Sequence, residues 1–147
     1  MKYGITRIEK GEFQDVVEVW EASVRATHHF LTEEDLVCFK PLIRNTYLYA
    51  VELRGARNEE KKIVGFIGVD GQQLEMLFIH PDYRGKGIGK TLLAYSIAEL
   101  NVVKVDVNEQ NEQAVGFYQH HGFEIRSRSA LDATGKPYPI LHMELKR

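Results

Sequence analysis

In HPDYRGKGIGKTLLAY, residues 80–95, a glycine-rich segment leads directly into an apolar helical pattern. Its central segment, RGKGIGK at 84–90, contains three glycines and three cations. Apolar residues then recur at helical spacing as far as Leu100, which predicts a helix that begins within the glycines. Because glycine lets the backbone approach a ligand closely and a helix N-terminus attracts negative charge, the segment predicts a phosphate site.

The spacing of the glycines excludes two common nucleotide-binding loops. A dinucleotide loop, G-x-G-x-x-G, would need its third glycine at position 90 or 92, which are Lys90 and Leu92. A P-loop, G-x-x-x-x-G-K-[ST], would need a glycine ahead of GKT at 89–91, at the position that Arg84 occupies. The pattern that remains, R-x-x-G-x-G over 84–89, suits a pyrophosphate without naming the molecule that carries it.

Length and composition predict one domain over residues 1–147 with a core of its own, since 44% of the residues are hydrophobic and 27% are charged. The net charge of −2 argues against a protein that binds nucleic acid mainly through charge. The single cysteine, Cys38, excludes an internal disulfide and a cysteine-based zinc cluster, and we expect it in the core. No apolar run approaches the roughly 20 residues of a membrane span, so we expect a cytoplasmic protein without a membrane partner.

Hydrophobic periodicity predicts the order β-α-α-β-β-β-α-β-α-β-β, an α/β domain with one mixed sheet and helices on both of its faces. The predicted strands cover residues 3–9, 47–53, 62–70, 74–79, 102–107, 123–131 and 138–145. The predicted helices cover residues 12–27, 33–43, 88–100 and 112–121.

Single residues mark the predicted element ends. Thr32 predicts the N-cap of the second helix, and Pro41 is expected to kink or end that helix. Asn111 can cap the fourth helix and Gly122 can end it. The charged stretch RGARNEEKK, residues 54–62, is predicted to be a hairpin loop.

Two motifs resemble the GNAT superfamily of N-acetyltransferases. The segment 84–89 matches the family's [Q/R]-x-x-G-x-[G/A], and LFIHPDY at 77–83 is similar to the strand and turn that lead into it. Residues 107–123 resemble the downstream motif N-x-x-A-x-x-F-Y-x-x-x-G-F. The matching positions there are Asn111, Ala114, Phe117, Tyr118, Gly122 and Phe123. The resemblance covers roughly residues 3–147 and implies a mostly antiparallel sheet, acetyl-CoA as the donor, no metal and an amine as the acceptor.

The resemblance also implies how acetyl-CoA is held. Its pyrophosphate would lie on the loop and helix start formed by Arg84, Gly85, Lys86, Gly87, Ile88, Gly89 and Lys90. Its pantetheine arm would lie between the strand at 74–79 and the strand at 102–107, against the backbone of Leu77, Phe78 and Ile79. A backbone N–H near Leu77 or Phe78 would stabilise the thioester carbonyl oxygen. Asn111 would contact the arm, cap its helix, or do both.

Catalytic roles follow from the same resemblance. Tyr118 would protonate the departing thiolate, the alternative being a purely packing role. Glu75 is the expected general base, acting directly or through water, the alternative being an ordinary solvated or paired carboxylate. His28 and Phe30 would line the acceptor pocket, with His28 able to act as a base or else merely to pack.

The predicted function is therefore an acetyl-CoA-dependent N-acetyltransferase acting on a primary amine of a small molecule or peptide. Because no serine or cysteine nucleophile motif is present, direct attack in a ternary complex is favoured over an acyl-enzyme. Two alternatives are a non-catalytic acyl-CoA sensor and, less favoured, a nucleotide hydrolase built on GKT at 89–91. Monomer and homodimer both stay open, as does the identity of the amine.

Overall fold

A computed structural model describes residues 3–146, which form a seven-stranded sheet covered by four α-helices. The strands are β1 Gly4–Arg7, β2 Glu52–Arg57, β3 Ile63–Asp70, β4 Gln73–Ile79, β5 Lys104–Asn108, β6 Phe123–Ser129 and β7 Ile140–Leu145. The helices are α1 Phe13–Thr27, α2 Glu33–Asn45, α3 Ile88–Leu100 and α4 Glu112–His120. Short 3₁₀ turns lie at Lys10–Glu12, Tyr47–Tyr49 and Pro81–Tyr83.

The strands follow the order β1-β2-β3-β4-β5-β7-β6, and each neighbouring pair is antiparallel except β4 with β5. The predicted mixed, mostly antiparallel sheet is thereby confirmed. The parallel pair is short, since β4 and β5 are in register only at Gln73 with Lys104 and at Leu74 with Val105. Beyond these positions the two central strands separate, and a cleft opens in the middle of the sheet.

Two hydrophobic cores lie on opposite faces of the sheet and hold the helices there. The first core receives buried side chains from α1 and α2, namely Phe13, Val16, Val17, Val19, Trp20, Val24, Leu36 and Ile43. The second receives Ile88, Leu92 and Leu93 from α3 and Tyr118 from α4. Each large apolar side chain buried in this way stabilises the fold by roughly 1.5–3 kcal/mol. Helices on both faces are therefore confirmed.

The predicted second strand was wrong at both ends. Residues 47–49 form a 3₁₀ turn, and β2 runs instead from Glu52 to Arg57, leaving only 58–62 as the loop. The arginines in the stretch that was predicted to be a loop lie on the strand and are paired with glutamates. Arg54 is 8% exposed and donates to Glu52 at 2.6 Å, and Arg57 donates to Glu12 at 2.6 Å.

Helix α2 also departs from its prediction, because it continues four residues beyond Pro41 to Asn45. Proline lacks the N–H that would bond to the carbonyl of Val37, and Val37 is exposed, so water can take that place. Cys38 is exposed on the same helix, so its predicted core position was wrong. The apolar face of α2 is carried by Leu36 and Ile43.

The predicted helix ends are confirmed by their hydrogen bonds. The Thr32 hydroxyl oxygen accepts from the backbone N–H of Asp35 at 3.0 Å and caps α2. The Asn111 side-chain oxygen accepts from the N–H of Ala114 at 3.3 Å and caps α4. After α4, Gly122 adopts a φ of 94°, in the left-handed region that favours glycine.

Candidate active site

A cavity of about 870 Å³ occupies the cleft between β4 and β5. It extends from the start of α3 to the β6–β7 loop, residues 130–139, and to the C-terminal end of α1. The predicted site residues that line it are His28, Glu75, Leu77, Phe78, Ile79, Arg84, Gly85, Gly87, Ile88, Gly89, Lys90, Asn111 and Tyr118. Lys86 and Phe30 are the two predicted residues that are not among those lining the cavity.

The edge of β4 that faces the cleft carries backbone donors without a strand partner. His80 donates its N–H to the carbonyl of Val64 at 2.8 Å, toward β3. Because successive residues of a strand point their N–H groups to opposite sides, Phe78 also faces β3. The N–H groups of Leu77 and Ile79 therefore face the cleft, where β5 has already separated from β4.

The glycine segment forms a concave turn that opens α3. Gly85 and Gly87 have φ of 76° and 82°, and nothing lies within 4 Å of the positions that a Cβ would occupy. The first bond of the helix runs from the N–H of Thr91 to the carbonyl of Gly87 at 3.0 Å. The N–H groups of residues 88–90 consequently have no acceptor within the helix. With the exposed side chains of Arg84 and Lys90 beside them, these amides can hold a pyrophosphate.

Tyr118 presents a protonated hydroxyl to the cavity. Its ring is 6% exposed and packs against Phe117 and Phe123, with centroids 5.3 and 5.8 Å away. Burial raises the pKa of the Tyr118 phenol, so the group stays neutral at neutral pH. No group among residues 3–146 forms a hydrogen bond with this hydroxyl, yet none of their fully enclosed side-chain polar atoms lacks a partner. The hydroxyl must therefore reach the open cavity, where its proton is available to a bound group.

Glu75 lies on β4 just beyond the last position paired with β5. Burial raises the pKa of its carboxyl, and the nearby carboxylates of Asp106 and Asp70 raise it further. Asp106 and Asp132 line the cavity with Glu75. The carboxylates of Glu75 and Asp106, which we call the acidic wall, favour a cation beside them.

His28 follows the last residue of α1 and is half-buried. The Thr27 hydroxyl donates to the carbonyl of Ser23 at 2.8 Å and lies 2.7 Å from Nδ1 of His28. Because that hydroxyl has one proton, Nδ1 must carry the imidazole hydrogen and leave Nε2 with a free lone pair. Burial lowers the pKa of His28 to about 4, and His29 and Arg84 contribute to the shift. Phe30 packs on the His28 ring at 5.2 Å between centroids.

The contacts that hold the β6–β7 loop near His28 and Phe30 were not predicted from the sequence. The Tyr138 hydroxyl donates to the carboxylate of Asp35 at the start of α2, and Lys136 lies 3.1 Å from the same carboxylate. The Tyr138 ring is buried against Phe30 and Phe39. Only the register of the fold brings these residues together, so no local pattern could have indicated them.

A second missed feature is a chain of three hydrogen-bonded side chains that lines the cavity, which we call the Ser-His-Asp chain. The hydroxyl of Ser129 lies 2.6 Å from Nε2 of His142, and Nδ1 of His142 lies 2.7 Å from a carboxylate oxygen of Asp106. The alternation of β7 was a partial signal, because His142 stands between the buried Leu141 and Met143 and must face the other way. Its two partners come from other strands.

Across residues 3–146, no group of three or more histidine, cysteine, aspartate or glutamate side chains is arranged to hold a metal ion. No helix in this part of the chain is long and apolar enough to cross a membrane. His80, which precedes the glycine segment, accepts the N–H of Asp82 at its Nδ1 atom across 3.1 Å and thereby shapes the turn.

Comparison with known proteins places this geometry in context. Residues 27–145 match a family model described as "Acetyltransferase (GNAT) domain". The chain is 41% identical over 143 residues to the peptidyl-lysine N-acetyltransferase YjaB of Escherichia coli strain K12, covering 97% of both sequences. It is 28% identical to the peptidyl-lysine N-acetyltransferase YiaC of the same strain, covering 93% of this chain and 94% of YiaC.

Solved structures agree with the sequence comparison. The solution structure of apo-form YjaB from Escherichia coli superposes with a TM-score of 0.90, covering 98% of this chain and 97% of that one. The PaiA N-acetyltransferase of Thermoplasma acidophilum, solved with coenzyme A, superposes with a TM-score of 0.77 at 21% identity, with both chains fully covered. At that identity the second match supports the fold alone.

Proposed function

The chain belongs to the GNAT family of acetyl-CoA-dependent N-acetyltransferases, and we propose that the amine it acetylates is the side chain of a peptide lysine. The observation that carries this proposal is the acidic wall of Glu75 and Asp106 in the cavity. A lysine places one compact cation on a long apolar stem, and these carboxylates attract such a cation. The name of the YjaB relative, a peptidyl-lysine N-acetyltransferase, supports the same acceptor.

The donor is proposed to lie along the cleft. The amides of residues 88–90 and the side chains of Arg84 and Lys90 would hold the pyrophosphate, with Lys86 adding charge from outside the cavity. The free N–H groups of Leu77 and Ile79 would bond to the pantetheine arm and the thioester. Leu77 is the proposed donor to the carbonyl oxygen, because the N–H of Phe78 faces β3. Such a donor contributes about 3 kcal/mol to transition-state stabilisation in other acyl-transfer enzymes.

The proposed reaction is direct attack of the neutral lysine amine on the thioester carbon. The new C–N bond forms, negative charge collects on the carbonyl oxygen near Leu77, and the C–S bond then breaks. Tyr118 gives its proton to the departing thiolate and is reprotonated from the attacking nitrogen through solvent. Burial disfavours the phenolate, but the same dry surroundings disfavour the thiolate, so transfer between them remains feasible.

The ammonium of the incoming lysine must first lose one proton. Glu75 is the proposed general base, directly or through water, since burial and neighbouring carboxylates raise its pKa and make it a stronger base. Neutral His28 would accept a hydrogen bond from the amine at Nε2 while Phe30 supports its ring. Asn111 would reach the pantetheine arm with its side-chain NH₂, because its oxygen already caps α4.

The acceptor is tested with acetyl-CoA and four separate amines, following thiol release and the mass of the product. The amines are an N-terminally blocked peptide with one lysine, the same peptide with arginine in its place, a lysine-free peptide with a free N-terminus, and spermidine. We expect the highest kcat/KM for the ε-amine of the first peptide, a lower value for spermidine, and no acetylation of the α-amine or of the arginine peptide, which has no primary amine. Turnover of spermidine or of the α-amine without turnover of the lysine peptide would refute the proposed acceptor. Coenzyme A binding without turnover of any amine would favour the sensor alternative.

A further inference from the structure

We propose that the Ser-His-Asp chain is a recognition site for the main chain of the acceptor peptide, with Ser129 accepting a hydrogen bond from a peptide N–H beside the acceptor lysine. This inference rests on the proposed function, because it requires a peptide rather than a small amine as the acceptor. It assigns a role to Ser129 and His142, two cavity-lining residues that the acetyl transfer itself does not use, and a second role to Asp106 of the acidic wall.

The sheet order fixes the chain of hydrogen bonds. β7 lies between β5 and β6, and His142 is directly opposite Asp106 in the antiparallel β5–β7 pair. The Asp106 carboxylate can only accept, so Nδ1 of His142 carries the hydrogen of their 2.7 Å bond. In the neutral imidazole Nε2 then has a lone pair, and the Ser129 hydroxyl donates to it across 2.6 Å.

This arrangement sets the polarity of Ser129. Its only proton is committed to His142, and the two lone pairs of its oxygen remain for the cavity. Ser129 therefore presents a pure acceptor, strengthened because each bond in the chain polarises the next. The complementary group is an N–H donor, and every peptide unit other than proline supplies one.

The position of Ser129 matches the main chain of an acceptor rather than its reacting nitrogen. The thioester is proposed to lie in the cleft between β4 and β5, and β6 lies two strand spacings beyond β5, which is roughly 10 Å at about 4.8 Å each. An extended lysine side chain spans roughly 6 Å, and its nitrogen attacks from about 3 Å, so the main chain lies about 9 Å from the thioester. Ser129 on β6 therefore lies on the side of the acceptor's main chain, which its side chain can reach through one hydrogen bond, and not beside the thioester.

The same distance argues against two other roles for this chain. A serine bonded to a histidine and an aspartate resembles a hydrolase nucleophile, but Ser129 is too far from a thioester at Leu77 to attack it. It is likewise too far to remove the ammonium proton by direct contact. Both roles give distinct results in the experiment below.

The test compares two acceptors in the full-length enzyme. One is the blocked lysine peptide, and the other is n-butylamine, which reproduces the lysine side chain without a main chain. In Ser129→Ala we expect the KM for the peptide to rise about tenfold, the loss of one hydrogen bond, with kcat at saturating peptide unchanged. For n-butylamine we expect kcat/KM within twofold of the parent enzyme.

Three further variants sharpen the result. Ser129→Thr keeps the hydroxyl and should retain the parent KM for the peptide. Asp106→Asn lets the imidazole change tautomer and turns Ser129 into a donor, so the KM for the peptide should rise at least as much as in Ser129→Ala. Because Asp106 also belongs to the acidic wall, the loss shared with n-butylamine reports its charge, and the additional loss with the peptide reports the tautomer. Ser127→Ala, an exposed serine on the same strand, is the matched control and should change neither acceptor.

Several outcomes would overturn the inference. These are an unchanged peptide KM in Ser129→Ala, an equal loss with n-butylamine, or a fall in kcat with an altered pH profile, which would indicate a base. An acetyl group found on Ser129 by mass spectrometry would indicate a nucleophile instead. If the parent enzyme acetylates n-butylamine but no lysine peptide, the proposed acceptor itself fails. A peptide that is acetylated equally by parent and Ser129→Ala overturns this inference alone.

Discussion

Leu74 and Val105 form the last paired position between β4 and β5, and from there the two strands separate. β5 remains paired with β7 along its whole length, from Lys104 to Asn108, so the separation is not a fraying of the sheet. It exposes the N–H groups of Leu77 and Ile79 to the cavity. The donor cleft is therefore built by the strand order itself, and the side chains around it supply the proton transfers.

Replacing Tyr118 by phenylalanine removes the proposed acid with little change in packing. We expect kcat to fall about 10²-fold, because general-acid catalysis contributes at least that factor, while the Kd for coenzyme A stays unchanged. A thiol-release assay measures kcat, and calorimetry measures the Kd for coenzyme A. Tyr49→Phe, at an exposed ring, is the control and should match the parent. An unaltered kcat in Tyr118→Phe would refute the acid role.

Replacing Gly87 by valine should abolish coenzyme A binding, because a side chain at this position fills the concave turn. Its φ of 82° also makes the substitution strained, at a cost of roughly 1–3 kcal/mol in the free energy of unfolding. Gly135→Val is a matched control, since Gly135 has a φ of 81° in the β6–β7 loop with open space around it. Calorimetry and urea unfolding should show similar destabilisation of both variants but loss of binding only at Gly87. Retained coenzyme A binding in Gly87→Val would contradict the proposed pyrophosphate site at the glycine segment.

The glycine turn and the capped starts of α2 and α4 were predictable from sequence because their signals are local. Glycine spacing located the turn, and Thr32 and Asn111 gave the helix starts, since caps act within four residues. The start of β2 was not predictable from local composition. Its charged residues look like a loop until their partners are known, as Arg57 shows by pairing with Glu12 from a distant part of the chain.

Most residues at the proposed acceptor side of the cavity could not be predicted from the sequence. Asp106, Ser129 and His142 lie on three strands whose spatial order differs from their order along the chain. Their approach depends on β7 inserting between β5 and β6, which no spacing within one segment encodes. The partnership of Tyr138 with Asp35 likewise spans 103 residues.

Lowering the pH should destabilise the protein through His28. Its pKa is about 4 in the folded chain and about 6.5 when exposed, so the unfolded chain binds the extra proton between these values. The free energy of unfolding therefore falls as the pH drops from about 6.5 to about 4, by at most about 3 kcal/mol from this group, less where cavity water hydrates it.

Urea unfolding of the parent and of His28→Gln across this pH range tests the assignment. In the variant, the free energy of unfolding should depend less steeply on pH, because the contribution of His28 is lost. Other groups still contribute, among them His121, whose pKa is also lowered by burial. Identical pH dependence of parent and variant would show that His28 is not buried as a neutral group.

The most direct test of the account is a titration of the isotope-labelled protein with coenzyme A, followed through backbone amide resonances. Binding along the cleft predicts the largest shifts at the N–H groups of Leu77, Ile79, Gly87 and Gly89, and little change at Asn101 beside a second, separate cavity. Shifts concentrated around Asn101, with the amides of β4 and the glycine segment unmoved, would contradict the central claim that the opening between β4 and β5 holds the donor.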